Sequence, residues 1–280
     1  MLKNYGPQCI NDLSMINASL RPSGASYRDR LLAGETNKNP SPLIDELLKD
    51  NRGFLIFQED VIAFLQKICG LSGSEADNVR RAIGRKQMGR LQKALPSILK
   101  GYCKMSPQPQ DVAEEEAKTF LKIIEDSSNY MFGYNHSTGY SMIGYMCAFC
   151  RYYYPEEFIA AYLNCANNTD DILMGTELAK IKNIEIKNIK FRKSGAEYTV
   201  DKANHALYKG IASIKFCNAQ IANDLLELAT NRYNNFTEVL ADVNTKTSVN
   251  SRQLTILIGL NYFEEFGKNQ YLMQVTDLYN

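Results

Sequence analysis

Residues 56–87 have the sequence IFQEDVIAFLQKICGLSGSEADNVRRAIGRKQ, and this stretch predicts two consecutive helices separated by a glycine break. In the first helix, Val61, Phe64, Leu65 and Ile68 recur at the spacing of one helical face. A face of that kind is normally buried, so we expect these four side chains in a core. Gly70 is expected to end this helix, because glycine readily adopts the left-handed backbone found at helix ends.

The segment SGSE, residues 72–75, has the pattern of a capping box that begins a new helix. We predict Ser72 as the N-cap, Glu75 as its partner, and a helix that continues to about Lys86. The last two turns of this helix contain four basic residues: Arg80, Arg81, Arg85 and Lys86.

Two interpretations of these cations remain open from the residues alone. Basic side chains are favourable at a helix C-terminus and usually face water. Alternatively, Arg81 and Arg85 are four positions apart and share one face, so two guanidinium groups could make bidentate contacts with neighbouring phosphoryl oxygens.

Outward from this stretch, the chain is predicted to be mainly α. The sequence predicts a helix at 10–19 followed by the turn LRPSG, a helix beginning at Pro42, and helices at 89–101 and 111–127. Residues 140–153 form a helix that is apolar nearly all round, which is typical of a buried helix.

Beyond residue 166 the pattern changes. Segments 184–191, 197–200 and 206–213 predict short strands, and helices are expected near 218–230, 236–242 and 251–259. We therefore predict a helical domain at 1–165, followed at 166–280 by a small mixed α/β segment and a helical module.

Composition excludes several classes of protein. The chain has 280 residues and a net charge of +1, so any basic site must be a local patch. The first ten residues lack the apolar segment of a signal peptide, and no apolar run approaches the roughly 20 residues that span a bilayer. The odd number of cysteines is typical of reduced thiols: Cys9, Cys69, Cys103, Cys147, Cys150, Cys165 and Cys217. We expect a cytoplasmic protein without a membrane partner.

Residues 129–139, NYMFGYNHSTG, are predicted to form a loop that contains His136. This histidine with its hydroxyl-bearing neighbours could line a polar pocket, or Ser137 or Thr138 could cap the following helix. The CxxC pair of Cys147 and Cys150 lies inside the apolar helix without a second pair, so buried thiols are favoured over a zinc site.

Signals for an active centre are missing from the sequence. It contains no D-x-D pair suited to Mg²⁺, no Walker-type phosphate loop, and no evident nucleophile with a paired base. The residues by themselves therefore support a helical module that faces phosphates as one of the two interpretations, and they do not support an active centre.

Several stretches together resemble the alpha subunit of bacterial DNA polymerase III, the family C replicative polymerase. Residues 54–87 are similar to its finger signature, through Phe57-Gln58-Glu59 and the run from Ala76-Asp77 to Lys86. The similarity continues in order along nearly the whole chain: LRPSG at 20–24, HSTGYSMIGYMCAFCRYYYPEEFIAAYL at 136–163, YKGIASIK at 208–215 and SRQLTILIGLNYFEEFG at 251–267.

The resemblance implies the C-terminal portion of a DNA-directed DNA polymerase, a nucleotidyltransferase, with a finger domain and a helix-hairpin-helix module that binds duplex DNA. It implies that dNTP phosphates contact Arg80, Arg81, Arg85, Lys86, His136 and Ser137, and that DNA contacts Lys209, Ser213, Lys215 and Arg252. The implied partners are primer-template DNA, a dNTP and a palm-bearing polymerase chain, and Mg²⁺ is expected only in the complete polymerase.

The sequence departs from the family pattern in three places. The palm aspartates that bind metal lie upstream of the matching region and have no counterpart here. Tyr134 stands where many members have a lysine that contacts phosphate. The hairpin contains Phe216, Cys217 and Asn218 where Gly-Val-Gly is usual, and those glycines let backbone N–H groups approach a DNA phosphate. A non-catalytic DNA-binding module and a truncated remnant are therefore the alternative hypotheses.

Overall fold

The computed structural model describes residues 2–21, 27–127 and 131–279, and in these residues the fold is mainly α with a small sheet, as the sequence predicts. The chain divides into two compact units, residues 1–146 and 147–280. The domain boundary near residue 165 stays a prediction. Pro22, Ser23 and Gly24 of the predicted turn, and Asn129 and Tyr130 of the predicted loop, lie outside the described residues.

The helices of the first unit, the last of which continues into the second, are α1 Leu2–Tyr5, α2 Ile10–Ser19, α3 Arg28–Leu32, α4 Pro42–Leu47, α5 Gln58–Ala63, α6 Gly73–Gly84, α7 Met88–Met105, α8 Gln110–Ser127 and α9 Tyr134–Tyr153. The second unit continues with α10 Pro155–Asn164, α11 Thr169–Ile181, β1 Glu185–Lys187, β2 Thr199–Asp201, β3 Ala206–Tyr208, α12 Ala219–Leu228, α13 Phe236–Lys246, α14 Ser251–Gly259 and α15 Asn269–Tyr279.

The two helices of the deciding stretch form as predicted. Helix α5 continues into a π-helical turn at Phe64–Ile68, and its apolar face of Val61, Phe64, Leu65 and Ile68 is buried. Gly70 ends this segment in the left-handed region, with φ at +72°. Because α4, α6, α7 and α8 contribute to the same core, the start of α6 is fixed by packing as well as by its capping box.

Helix α7 approaches this segment at Gly101. A side-chain carbon at that position would lie 1.7 Å from the carbonyl oxygen of Cys69, so only glycine permits the contact. The neighbouring Tyr102 is fully buried, and its hydroxyl hydrogen-bonds to Ser41 Oγ at 2.6 Å. Helix α7 is thereby fixed against the break that precedes the basic helix.

A second core of the first unit joins α2 to the segment before α5. Met15, Phe54, Ile56 and Phe57 are buried there, and Phe132 packs against them. Phe57 forms a parallel β-bridge with Phe132. This bridge places the segment that precedes α9 directly beside the start of α5.

The second unit begins with helices on a small mixed sheet. The strand order is β1-β3-β2, with β1 parallel and β2 antiparallel to β3. Helices α10 and α11 pack on it around Leu207, which is fully buried. The predicted short strands are confirmed, and residues 189–272 then form a separate core with large aromatic side chains: Phe191, Phe236, Tyr262 and Phe263.

Helix α9 differs from its prediction, because its apolar side chains are exposed rather than buried. Tyr152 has 70% of its surface exposed and Met146 has 63%, and Cys147 and Cys150 are exposed as well. The prediction that Cys147 and Cys150 are buried thiols is therefore wrong. An apolar pattern predicts the helix, but burial also requires a packing partner, which the pattern of a single helix does not provide. The exposed set on α9 is Tyr140, Met142, Ile143, Tyr145, Met146, Phe149, Tyr152 and Tyr153.

Candidate phosphate-binding site

The basic helix α6 is strongly one-sided. It buries Ala76, Val79, Ala82 and Ile83 against the core. The predicted capping box is confirmed, since the backbone N–H of Ser72 donates to Glu75 Oε2 at 2.9 Å and the hydroxyl of Ser72 accepts from the backbone of Glu75. With its apolar face buried and its first turn capped, the helix leaves its basic side chains on the opposite face.

Arg80 is held by hydrogen bonds on two sides. Its Nε and Nη2 donate to Asp77 Oδ1 at 3.0 and 2.8 Å, and its Nη1 donates to Gln58 Oε1 at 3.0 Å. Gln58 is fixed in turn, because its Nε2 donates to the carbonyl of Met131 and its backbone N–H donates to the carbonyl of Phe132, both at 3.0 Å. The guanidinium of Arg80 therefore has a defined orientation.

Arg81 shares the same carboxylate. Its Nη2 lies 2.7 Å from Asp77 Oδ2, so one carboxylate pairs with two guanidinium groups. The hydrogen bond from Arg80 and the positive charges of Arg80 and Arg81 hold the pKa of Asp77 below its usual range. The side chain of Arg80 is 24% exposed and that of Arg81 is 58% exposed, so Arg81 has the larger free surface for an anion.

The end of α6 leaves two further cations exposed. The helix ends at Gly84, two residues before the predicted end, and Lys86 adopts the left-handed region with φ at 54°. The N–H of Lys86 donates to Ile83 O and the N–H of Gln87 donates to Ala82 O, which is the Schellman pattern that usually has glycine at this position. Within the described residues, neither the Arg85 nor the Lys86 side chain makes an ion pair or hydrogen bond.

An open cavity of about 300 Å³ lies beside these arginines. Arg80, Arg81 and Arg85 line one part of it, while Val61 and Ile124 are among its apolar residues. The full lining is Gln58, Val61, Arg80, Arg81, Ile83, Gly84, Arg85, Ile124 and Met131. Three guanidinium groups at one cavity suit an anion with several oxygen atoms.

His136 and Ser137 are placed differently from the sequence prediction. They lie in the first turn of α9, not in a loop, because the backbone N–H of Tyr134 donates to Glu59 Oε2 at 2.8 Å and the helix begins there. The prediction that Ser137 or Thr138 caps this helix is therefore wrong.

The two side chains have different accessibility. The His136 imidazole is exposed and makes edge contacts with the rings of Phe132 and Tyr140, at centroid distances of 5.2 and 4.7 Å. Ser137 is fully buried, and its hydroxyl donates to the carbonyl of Ser14 at 2.7 Å. A phosphate contact of Ser137 stays a prediction, and it would require this hydrogen bond to be released.

Arg21 is a further cation that was not among the predicted site residues. Its guanidinium carbon lies 4.8 Å from the centroid of the Phe132 ring, and the same ring contacts His136. Since the carbonyl of Phe132 also accepts from Gln58, contacts connect Arg21 and His136 to Arg80. The available sequence signal was the LRPSG motif, which contains Arg21.

In the second unit, the structure brings two of the four predicted DNA-binding residues together. Lys215 and Arg252 both lie over the ring of Phe216. Ser213 donates its hydroxyl to the carbonyl of Gly210 at 2.7 Å, and Lys209 Nζ lies 3.2 Å from the side-chain oxygen of Asn188. Lys209 and Ser213 therefore have local hydrogen-bond partners, and their contacts with DNA stay predictions.

In residues 2–21, 27–127 and 131–279, no group of three or more His, Cys, Asp and Glu side chains is arranged to hold a metal ion. Over the same residues, no helix has the length and hydropathy required to cross a bilayer.

Comparison with known families agrees with this architecture. Residues 1–105 match the family described as the bacterial DNA polymerase III alpha subunit finger domain. Residues 183–272 match the helix-hairpin-helix motif. The first match contains α6 and its arginines, and the second contains the hairpin with Phe216.

Curated relatives are similar along almost the whole chain. The DNA polymerase III subunit alpha of Treponema pallidum is 27% identical over 274 residues, which are 95% of this chain and 23% of that protein. The DNA polymerase III subunit alpha of Aquifex aeolicus is 28% identical over 273 residues, again 23% of its length. The chain thus spans about a quarter of the length of these relatives.

The fold, the two family matches and these relatives define a helical polymerase finger region joined to a helix-hairpin-helix region. The chain is thus similar to the bacterial DNA polymerase III alpha subunit, through the finger-domain match at residues 1–105 and through relatives of 27% and 28% identity.

Proposed function

We propose that the first unit binds the triphosphate of an incoming dNTP as part of a DNA-directed DNA polymerase. The observation that carries this proposal is the arrangement of Arg80 and Arg81 around Asp77, beside a cavity that Arg85 also lines. The two arginines are oriented before any ligand arrives, so little ordering is needed when a phosphate binds.

These side chains have a defined chemical task in the proposed reaction. When the 3′-hydroxyl of a primer attacks the α-phosphate, negative charge develops on the departing pyrophosphate. Preorganised cations at that position stabilise the transition state more than the ground state. Arg81, Arg85 and Lys86 have the exposed charges for this contact, while Arg80 is more tightly held by Asp77 and Gln58.

The backbone of Lys86 further supports a role for its charge. A residue with a Cβ in the left-handed region costs roughly 1–2 kcal/mol relative to the right-handed region, and this position would ordinarily suit glycine. Strain of this kind is found where a side chain serves a function. We propose that the function served at this position is contact of the Lys86 ammonium with a phosphate.

The described residues do not provide a resident site for Mg²⁺ made of three or more His, Cys, Asp or Glu side chains. Nucleotidyl transfer uses Mg²⁺ held by closely spaced carboxylates, and the described residues contain no such cluster. We propose that a palm-bearing polypeptide holds the metal, and that the present chain contributes cations and nucleic-acid contacts.

The same palm-bearing polypeptide is our proposed occupant of the exposed face of α9. About three-quarters of the length of the first relative lies outside the region that this chain matches. Helix α9 begins at Tyr134, beside the segment whose Met131 carbonyl accepts a hydrogen bond from Gln58. Tyrosine, phenylalanine and methionine are enriched at protein interfaces, and exposed apolar surfaces commonly mark such interfaces. Binding of such a chain should slow alkylation of Cys147 and Cys150, and unchanged alkylation in a complex would contradict this location.

For the second unit we propose binding of primer-template DNA through the cations around the hairpin. Phosphate contacts of this kind give a log affinity that falls linearly with log salt concentration. The expected slope is shallow, because the predicted DNA contacts include only three cations, Lys209, Lys215 and Arg252.

The test is a titration of labelled primer-template into the purified chain, with and without the complementary dNTP and Mg²⁺, at two salt concentrations. We expect salt-sensitive binding that tightens with the complementary dNTP. The tightening should be lost in Arg81→Gln and in Arg85→Gln. Lys38→Gln changes charge equally at an exposed residue that does not line the cavity, so it should leave the tightening intact.

Each alternative hypothesis predicts a different result. DNA binding that is indifferent to dNTP would favour a non-catalytic DNA-binding module. Absence of binding to either ligand would favour a remnant that only folds. If binding is as proposed, addition of a cognate palm-bearing chain should give Mg²⁺-dependent primer extension, and no extension from a demonstrated complex would refute the polymerase role.

A further inference from the structure

The hairpin of the second unit presents an aromatic ring at its surface. Phe216 is 44% exposed, although it lies only two residues before the N-cap of helix α12. Its backbone has φ at 75°, the left-handed region that side chains with a Cβ rarely adopt. A large apolar side chain is therefore held at an exposed and strained position.

The strain at Phe216 is maintained by a contact with another helix. The side-chain Nε2 of Gln253, in the first turn of α14, donates to the carbonyl of Phe216 at 2.9 Å. A left-handed residue with a Cβ costs roughly 1–2 kcal/mol compared with the right-handed region. Glycine would adopt the same backbone without this cost, so the ring is present despite an energetic disadvantage.

Positive charge surrounds the ring. The guanidinium carbon of Arg252 lies 3.6 Å from the ring centroid and Lys215 Nζ lies 5.1 Å from it. Helices α12 and α14 both begin near this point, after Asn218 and Asn250, and helix N-termini carry partial positive charge. The ring is thus the apolar centre of a local cationic surface on a chain whose net charge is only +1.

We propose that Phe216 is a stacking site for an unpaired nucleobase, with Lys215 and Arg252 on the adjacent phosphates. Sites for single-stranded nucleic acid combine basic side chains along the backbone with aromatic rings on which bases stack. The guanidinium of Arg252 packs on the ring, and its N–H groups can also donate to a phosphate. The ammonium of Lys215 is on a flexible stem and can move from the ring region to a phosphate.

A single strand is a better match than duplex DNA. In a duplex the base faces are already stacked on each other, so an exposed ring gains little there unless it unstacks a base step. A template strand beyond the paired region offers free base faces. This inference rests on the proposed nucleic-acid binding of the second unit, and it adds the kind of strand and the contacting group.

The test compares a labelled oligothymidylate with a duplex closed by loops at both ends, so that the duplex has no free terminal base pair. Loss of one base–aromatic stack costs about 1–3 kcal/mol, so Phe216→Ala should weaken oligothymidylate binding about 5- to 150-fold. Binding of the closed duplex should change less than about 2-fold. Tyr279→Ala removes an exposed ring elsewhere in this unit and should change neither affinity.

Two more variants separate binding from folding. Phe216→Gly removes the ring and the strain together, so it should lose single-strand affinity without a lower thermal midpoint. The chain contains 17 tyrosines but no tryptophan, so Phe216→Trp introduces a single tryptophan that can be excited selectively. Its emission should be quenched by oligothymidylate and not by the closed duplex.

Equal losses for both DNA forms, or unchanged oligothymidylate binding in Phe216→Ala, would overturn the stacking proposal while leaving the proposed DNA binding intact. If the wild-type chain binds neither form, the DNA-binding function itself fails and this proposal fails with it. The dNTP-dependent tightening that tests Arg81 is a difference between titrations with and without dNTP, so it should persist in these variants.

Discussion

Gly101→Ala tests the packing that supports the basic helix. An alanine Cβ would lie 1.7 Å from the carbonyl oxygen of Cys69 and 2.5 Å from its carbonyl carbon, whereas real Cβ contacts essentially never fall below 3.0 Å. Both nearest atoms belong to the backbone, so no side chain can rotate away. Helix α7 must therefore move away from the segment that ends at Gly70.

The cost of this movement follows from the contacts beside Gly101. Tyr102 is fully buried, packs at a centroid distance of 6.1 Å from the Phe64 ring, and hydrogen-bonds to Ser41. Overpacking a core costs typically 1–3 kcal/mol, and loss of one buried hydrogen bond adds about 1 kcal/mol. We expect a destabilisation of about 3 kcal/mol, a large part of the stability of an ordinary domain.

The assay is urea unfolding followed by far-ultraviolet circular dichroism, since the chain has no tryptophan. Gly89→Ala is the matched control in the same helix, because no atom lies within 4 Å of the Cβ position there. It should be neutral or stabilising by up to about 1 kcal/mol, through the higher helix propensity of alanine. Equal midpoints for the two variants would refute the close contact between α7 and Cys69.

Three further predictions concern single residues. Lys86→Gly should raise the free energy of unfolding by up to about 1 kcal/mol, because glycine adopts the left-handed backbone without strain. The same variant should weaken the dNTP-dependent tightening of DNA binding. A loss of stability would contradict the left-handed conformation of residue 86. Burial raises the pKa of Asp60 to about 6, above the unfolded value of about 3.9. The stabilisation contributed by protonated Asp60 is therefore fully present below pH 4 and is lost as the pH rises through 6. Between pH 4 and pH 7, the free energy of unfolding of Asp60→Asn should rise relative to that of the wild type by on the order of 2 kcal/mol. A difference that does not change with pH would rule this out. Exposed Cys147 and Cys150 should react with iodoacetamide in the native chain, whereas Cys69, whose pKa burial raises to about 12, should react only after unfolding, as peptide mass spectrometry would show.

Much of the candidate site could be predicted from the sequence because its signals are local. The capping box of Ser72 and Glu75, the placement of Arg80 and Arg81 on one helix and the position of Arg85 at its C-cap depend on residues within a few positions of each other. Short-range patterns of this kind determine where a helix begins and which side chains share a face.

The orientation of these side chains could not be predicted in the same way. Arg80 is positioned by Gln58, and Gln58 is positioned by Met131 and Phe132, which are distant in sequence. The start of α9 likewise depends on Glu59, a residue on another helix, and this is why His136 was wrongly expected in a loop. Contacts of high sequence separation form only when the chain has folded.

The sequence by itself determined the mainly helical fold, the small strands, the basic helix and the resemblance to a replicative polymerase subunit, because helix periodicity, caps and motif order are properties of neighbouring residues. The tertiary structure alone decided that the apolar side chains of helix α9 are exposed and that Asp77 pairs with both Arg80 and Arg81 beside a cavity. It also decided that Phe216 has a left-handed backbone and a ring in contact with Lys215 and Arg252. Exposure, ion pairing and backbone strain depend on which distant segments meet, and that information arises only from packing in three dimensions.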